Sequence, residues 1–267
     1  MVFILLLLLF LCSCLIKKTS NKEETEFLKN TSYYNKHYLN RYIKFKSNHP
    51  ELDNEEIVTR VNIGLDKPFY TNTRYSNKLN DIGILVNKYI RVPNNYKPSD
   101  LVLMDKYAKD NIYLVKEAYD NYILMAETAQ KNNLNIRAIS AYRDVNYQKE
   151  LYSKYTQNDS INKVDTYSAR PGFSEHHTGL CIDIDNMASS YEYFEYTDEY
   201  QWMINNSYKY GFILRYPKDK EAITGYMYES WHYRYVGRKA SKYIHKNNIT
   251  YDEYFVKFLE NKKGTTI

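Results

Sequence analysis

The amino-acid sequence predicts an α+β domain in which helices flank a small antiparallel sheet. One segment carries apolar and aromatic residues at helical spacing and predicts a strong helix with a single buried face, made by Val115, Ala118, Tyr119, Tyr122, Met125, Ala126 and Ala129. Two other segments, Leu134 to Ala138 and Leu180 to Ile184, alternate apolar residues as strands with one buried face do. Helices and strands follow one another irregularly, which favours the α+β class.

The remaining elements are predicted from apolar patterning and from their end signals. Asp53 or Asn54 can cap a helix whose first turn carries Glu55 and Glu56, and Gly211 can close a helix opened at Thr197. The predicted helices run from Tyr34 to Lys46, from Asn54 to Val61, from about Asp144 and from Thr197, and two short ones end the chain. The further predicted strands are Ile82 to Val92, Phe212 to Tyr216 and Trp231 to Tyr235.

Composition limits the classes of function that the chain can have. The 267 residues carry 37 basic and 32 acidic side chains, a formal net charge of +5 that is spread thinly along the chain. Nucleic-acid binders concentrate basic residues in dense patches, so we expect no nucleic-acid partner. Two of the three cysteines, Cys12 and Cys14, lie in an apolar N-terminal run, and Cys181 stands alone in the body. A disulfide framework is therefore not expected.

The N-terminus predicts export. Val2 to Leu11 is an unbroken apolar run, shorter than the ~20 residues of a membrane-spanning helix and suited to a signal peptide. Leu11-Cys12-Ser13-Cys14 resembles a bacterial lipobox, in which Cys14 would receive the lipid. The alternative is an uncleaved anchor. The predicted organisation is a signal or anchor over 1–16, a tether with a helical extension over 17–54, and a catalytic domain over 55–267.

Three segments carry residue types that suit metal chemistry: Ser140 to Arg143, Ser174 to Asp183, and Glu229 to His232. His176 is expected at a turn before a strand, Asp183 on that strand and His232 on another strand. Two imidazoles and one carboxylate suit Zn²⁺ and leave a fourth position for water, as catalytic zinc sites require. The sequence therefore predicts one zinc ion per chain.

Two further residues have roles that follow from this chemistry. Glu229 precedes His232 by three residues, from where a carboxylate can take a proton from the attacking water without binding the metal. Arg143 supplies a fixed cation for a substrate carboxylate or a developing oxyanion. His177 offers a second imidazole beside His176, and the spacing to Asp183 favours His176 as the ligand.

These motifs resemble those of VanY-like D-alanyl-D-alanine carboxypeptidases, which carry S-E-H-x-T-G-x-x-x-D followed by E-x-W-H-x-R-Y-V-G. The resemblance covers roughly residues 55–260. It implies the zinc D,D-peptidase fold shared with hedgehog domains, zinc ligands His176, Asp183 and His232, and Glu229 as the base. It also implies that Arg143, Gln148 and Ser174 hold the terminal carboxylate of the substrate, although local capping is an equal alternative for Gln148 and Ser174. The chain departs from the usual residues at His177 (glutamine), Cys181 (alanine) and Ser230 (proline).

The resemblance implies an exported enzyme of the bacterial cell surface that removes D-alanine from peptidoglycan stem peptides. Two alternatives keep the zinc chemistry and change the cleaved bond, namely an L,D-carboxypeptidase and a D,D-dipeptidase. An alternative of another class is a non-catalytic zinc-binding module, as in hedgehog signalling domains. Glu229 argues against that alternative, because a structural zinc site needs no base.

Overall fold

The computed structural model describes residues 31–188 and 190–260, which form two compact units. One unit contains the described residues up to Lys67 and those from Val256 onward, and the other runs from Pro68 to Phe255. The predicted signal or anchor and most of the predicted tether lie outside the described residues. None of the helices in the described ranges has the length and apolar character needed to cross a membrane.

The smaller unit contains both helices that the sequence predicts before residue 64. Helix α1 (Leu39–Asn48) follows a short 3-10 helix, and α2 is Asn54–Ile63. Asp53, one of the two predicted candidates, caps α2: its side chain accepts a hydrogen bond from the backbone N–H of Glu56. The two helices pack through a small apolar cluster that includes Tyr42, Phe45, Ile57, Val58 and Val61.

The larger unit confirms the α+β class. Its helices are α3 (Lys116–Lys131), α4 (Val145–Asn158), α5 (Ile161–Tyr167), α6 (Asp198–Asn206), α7 (Glu221–Thr224) and α8 (Arg238–Asn247). Helix α9 (Tyr251–Phe258) begins in this unit and continues past its last residue, Phe255. The predicted face of α3 is buried from Ala118 to Ala129, and it packs in the main core. Asp144 caps α4, which is why that helix begins where the sequence predicts.

A four-stranded antiparallel sheet lies at the centre of this unit. Its strands are β5 (Arg137–Ser140), β6 (Cys181–Asp185), β7 (Phe212–Leu214) and β8 (His232–Tyr235), in the order β5-β6-β8-β7. Ile182 and Ile184 are buried in the main core on one face of β6, so the alternate residues of this strand face the other way. The register places Asp183 directly opposite His232. Two residues far apart in sequence therefore become neighbours on one face of the sheet.

The predicted strand from Ile82 to Val92 is wrong over most of its length. Only Ile90–Arg91 is extended and paired there; it forms strand β2, parallel to β1 (Arg74–Tyr75). The side chain of Asn87 accepts hydrogen bonds from the backbone N–H groups of Tyr89 and Ile90, which turns the chain. The apolar residues before Asn87 are buried although they form no strand. Their burial explains why the sequence is apolar there. A hairpin of β3 (Leu101–Leu103) and β4 (Tyr113–Val115) was not predicted.

Candidate active site

A cavity of about 480 Å³ opens beside the end of the four-stranded sheet. The structure brings together every predicted site residue that lies in its described part. The cavity is lined, among others, by Arg143, Gln148, Ser174, His176, Asp183, Glu229 and His232. Cys14, the predicted lipidation site, lies outside the described residues.

His176 is held by a tight turn that the local sequence specifies. It lies in a 3-10 helix, Glu175–Thr178, and the Ser174 side chain accepts a hydrogen bond from its backbone N–H at 3.3 Å. The turn ends at Gly179, whose φ is +62°. The positive φ disfavours other residues, and a Cβ at this position would also lie 2.7 Å from Cδ2 of Leu101 and force that side chain to shift, so glycine is favoured there. The serine and the glycine therefore fix where the chain enters β6 and where the imidazole of His176 lies.

The donor atoms of the two predicted histidine ligands lie close to the carboxylate of Asp183. Oδ2 of Asp183 lies 3.4 Å from Nε2 of His176, and Oδ1 of Asp183 lies 3.2 Å from Nδ1 of His232. Oδ1 of Asp183 is buried and makes no hydrogen bond within the described part of the chain, despite that short separation. A tetrahedral zinc with bonds of about 2.0–2.2 Å separates its donor atoms by about 3.3–3.6 Å. The residues present therefore fit a zinc ion.

The imidazole of His176 is oriented by the backbone. Its Nδ1 lies 2.6 Å from the carbonyl oxygen of Ala141, to which it can donate a hydrogen bond. This bond leaves Nε2 as the basic nitrogen, and it faces Asp183. Hydrogen bonding of the distal ring nitrogen is the usual device that fixes the tautomer of a metal-binding histidine.

His177 has a structural role that distinguishes it from His176. Its Nδ1 lies 2.7 Å from the carbonyl oxygen of Arg143, and its Nε2 accepts a hydrogen bond from the backbone N–H of Gly172 at 3.1 Å. Burial lowers the pKa of His177 to about 4. Both ring nitrogens of the neutral imidazole are thus engaged in holding two backbone segments, and neither remains for a metal ion.

Glu229, the predicted proton acceptor, lies beside His232 and is buried. Its Oε2 is 3.5 Å from Nδ1 of His232, and the residue is 7% exposed. Burial raises the pKa of Glu229 to about 7, and the neighbouring carboxylate of Asp183 adds to that shift. A carboxyl group with such a pKa can both take and return a proton near neutral pH.

The three residues predicted to bind the substrate carboxylate differ in how much of their side chain is engaged. Nε of Arg143 is buried and has no hydrogen-bond partner among the described residues. Gln148 donates to the carbonyl of Ala169 at 2.8 Å, while its Oε1 is buried and unpaired within the described ranges. The hydroxyl of Ser174 caps the turn of His176. Local capping therefore accounts for Ser174, whereas Gln148 makes a tertiary contact with the segment at Ala169.

A network of buried ion pairs next to His232 was not predicted from the sequence. Oε1 of Glu175 accepts from Nε of Arg215 at 2.8 Å and from Nη1 of Arg234 at 3.0 Å, and Arg215 also binds Asp252 at 2.7 Å. Oε2 of Glu175 faces Nε2 of His232 at 3.5 Å. Burial opposes ionisation of Glu175, but the two guanidinium groups outweigh it and hold its pKa well below the usual value.

The position of Glu175 inside the S-E-H motif was a signal that could have identified this network. The patterns around Arg215 and Arg234 did not distinguish buried residues from paired surface charges. In the structure both arginines are among the most buried side chains of the described ranges.

We expect Glu175→Gln to destabilise the larger unit by about 3–5 kcal/mol, because it leaves two buried guanidinium groups without their shared carboxylate. Urea unfolding in the presence of a chelator measures this cost without a contribution from metal binding. Glu195→Gln is the matched control: it breaks the ion pair with Lys218, which is solvent-exposed, and it should change the unfolding midpoint much less. Equal midpoints for the two variants would contradict the structural role of the network.

Comparison with known proteins agrees with this geometry. The family model for VanY, D-alanyl-D-alanine carboxypeptidase, matches residues 111–238. The solved structure of the LdcB LD-carboxypeptidase is 40% identical, with a TM-score of 0.66, over 70% of this chain and 91% of that chain. The chain belongs to the VanY-type carboxypeptidase family. The matched region contains every predicted site residue from Arg143 to His232.

Two further VanY-type relatives extend the comparison. A mutant of the vancomycin-resistance D,D-pentapeptidase VanY, solved in complex with Zn(II), is 30% identical with a TM-score of 0.56, over 65% of this chain and 98% of that chain. The putative carboxypeptidase YodJ of Bacillus subtilis (strain 168) is 42% identical over 181 residues, 65% of this chain. The match covers 66% of YodJ, slightly less than two thirds of its length.

Proposed function

We propose that this chain is a zinc-dependent D-alanyl-D-alanine carboxypeptidase that removes the terminal D-alanine from peptidoglycan stem peptides. The observation that carries the proposal is the site itself. Nitrogens of His176 and His232 lie 3.4 and 3.2 Å from the carboxylate of Asp183, close to the separations of donor atoms around zinc, and the buried carboxylate of Glu229 lies beside His232. Membership of the VanY-type family and the zinc complex of the D,D-pentapeptidase VanY support the choice of metal and reaction.

The roles of the residues follow from their positions. Zn²⁺ held by His176, Asp183 and His232 supplies Lewis acidity, which polarises a carbonyl and lowers the pKa of water. Glu229 takes the proton of the water that attacks the scissile carbonyl and returns it to the leaving amine. Its burial keeps bulk water from competing for that proton. Ala141 holds His176 through Nδ1, so that the ligand does not rotate during turnover.

Arg143 is proposed to bind the terminal carboxylate of the substrate. Its backbone is fixed on both sides, because its N–H donates to the carbonyl of His176 at 3.1 Å and its own carbonyl faces Nδ1 of His177. The guanidinium therefore projects into the cavity from a position tied to the metal ligand. A planar guanidinium can bind a carboxylate through two parallel hydrogen bonds. Gln148 and Ser174 are proposed to bind the same substrate carboxylate.

We expect Arg143→Lys to lower kcat/KM by about 10–100-fold, since a charge-assisted hydrogen bond contributes about 1.5–3 kcal/mol. Steady-state cleavage of a pentapeptide ending in D-Ala-D-Ala measures the effect. A substrate with an amidated C-terminus provides the control. It should lower kcat/KM of the wild type strongly, and the ratio of kcat/KM between wild type and variant should be smaller on that substrate. An unchanged ratio of kcat/KM on the amidated peptide would contradict the proposed contact between Arg143 and the substrate carboxylate.

An L,D-carboxypeptidase activity is the second candidate, and the similarity to LdcB favours it. Equimolar pentapeptide and tetrapeptide, incubated with the zinc-loaded protein and followed by mass spectrometry, separate the candidates. Faster loss of D-alanine from the pentapeptide supports the D,D assignment, and faster loss from the tetrapeptide overturns it in favour of L,D cleavage. Release of intact D-Ala-D-Ala would indicate a D,D-dipeptidase. No cleavage of any peptide by zinc-loaded protein would indicate the non-catalytic module.

We also propose that the protein is exported and attached to the membrane by lipid at Cys14. The lipobox-like Leu11 to Cys14 supports this, and so does a substrate outside the cytoplasm. Cys14→Ala should move the protein out of the membrane fraction and remove the acyl mass. Cys12→Ala is the matched control and should leave both unchanged. Membrane-bound protein that retains Met1 would instead indicate an uncleaved anchor.

A further inference from the structure

Cys181 stands in the proposed metal site although the proposed mechanism does not use it. It begins β6 two residues before Asp183, so the two side chains lie on the same face of the sheet. The thiol is free and fully buried, at 0% exposure. Alanine, which is usual at this position in the family that the motifs resemble, offers no donor atom. The sulfur therefore adds a fourth potential ligand to this chain.

The position of the sulfur is compatible with metal binding. The thiol and one nitrogen each from His176 and His232 all lie within 4.8 Å of one another. The same two imidazoles lie 3.4 and 3.2 Å from the carboxylate of Asp183. In addition, Oδ1 of Asp183, which lies 3.2 Å from Nδ1 of His232, is buried and has no hydrogen-bond partner within the described ranges. The sulfur of Cys181 and the carboxylate of Asp183 thus both lie close to the same two imidazoles.

The surroundings of Cys181 differ from those of an ordinary core cysteine. A buried structural cysteine packs as a small apolar side chain and is inert. On this face of the sheet the partner of Cys181 in the neighbouring strand is Arg234, and His176 and His232 lie close by. Thiolate is a preferred ligand for zinc and for other thiophilic divalent ions, and a fourth protein ligand is typical of closed sites.

We propose that Cys181 is a metal ligand, so that His176, Asp183, His232 and Cys181 can bind one ion together. The proposal rests on the proposed zinc site. When the sulfur–metal bond forms, the S–H bond breaks and its proton passes to solvent, with no change of oxidation state. A metal ion bound in this way would be held by four protein residues, one more than in the proposed catalytic site.

Cobalt(II) titration of the metal-stripped full chain tests this directly, because a cobalt–thiolate bond absorbs strongly in the near ultraviolet while weaker visible bands report bound cobalt. The wild type is expected to show both signals. Cys181→Ala should lose the near-ultraviolet band and retain the visible ones, and its circular dichroism should match the wild type because alanine is usual there. The variant differs from the wild type only at residue 181, so the loss of the band identifies Cys181.

The outcomes separate the two proposals. Visible bands without the near-ultraviolet band in the wild type would overturn the role of Cys181 and leave the metal site intact. A near-ultraviolet band that persists in Cys181→Ala would also overturn it. Absence of all cobalt bands from the wild type would overturn the metal site and the ligand together. Cadmium supplies a second measurement: if Cys181 is a ligand, cadmium affinity should fall by a larger factor than zinc affinity in Cys181→Ala, and equal losses would contradict it.

Discussion

Glu229→Gln is expected to retain its zinc and to lose about 10²–10⁴-fold in kcat, the usual contribution of general acid–base catalysis. Glutamine has nearly the same shape and fits the buried site, but it cannot accept the proton of the attacking water. The three proposed ligands are unchanged, so metal binding should persist. Metal analysis of the purified variant together with single-turnover cleavage of the pentapeptide measures both quantities.

The control for Glu229 is an exposed carboxylate of the same unit. Glu221 lies on α7, and the Glu221→Gln variant should keep wild-type zinc content and turnover. Glu229→Gln with near-normal turnover would show that another group takes the proton. Loss of zinc from Glu229→Gln would show instead that Glu229 contributes to metal binding, which its position 3.5 Å from His232 does not require.

His176→Ala is expected to lose the metal and, with it, all measurable cleavage. Removing one of three protein ligands should weaken zinc binding by more than about 100-fold, because loss of an outer hydrogen-bond partner alone typically costs about 10–100-fold. His232→Ala should behave in the same way. Zinc content after dialysis against a chelator, followed by a competition titration, measures the affinity.

His177→Gln is the matched control for the ligand assignment. It replaces the adjacent imidazole by the residue usual in the family, and an amide can donate to the carbonyl of Arg143 as Nδ1 does. We therefore expect zinc content close to that of the wild type. Full zinc in His176→Ala combined with loss in His177→Gln would reverse the assignment of the two histidines.

Most of the fold was predictable because local patterns determine it. The apolar face of α3, the alternation in β6, the cap before α2 and the start of α4 near Asp144 all depend on a few neighbouring residues, and the structure confirms these predictions. The failure from Ile82 to Val92 has a physical cause. A run of buried apolar residues is compatible with any backbone that the core accepts, and the side chain of Asn87 turned the chain instead.

The site residues were predictable for a different reason. Few residue types can bind a metal ion or transfer a proton, and the sequence motifs that contain them here are short. The sequence alone was therefore enough to identify His176, Asp183, His232 and Glu229 as candidates. Their roles remain predictions that the variants above test. The buried ion pairs were not predictable, because a short motif that contains Arg234 does not show that its side chain is buried, and nothing local distinguishes Arg215 from a surface arginine.

The sequence by itself determined the α+β class, the family and the candidate ligands, because periodicity and motif chemistry are properties of neighbouring residues. Only the tertiary structure decided which atoms meet. Strand register placed Asp183 against His232, the turn at Gly179 directed His176 towards them, and two backbone contacts occupied both ring nitrogens of His177. Distances between residues far apart in the chain depend on how the core packs, and no local pattern encodes them.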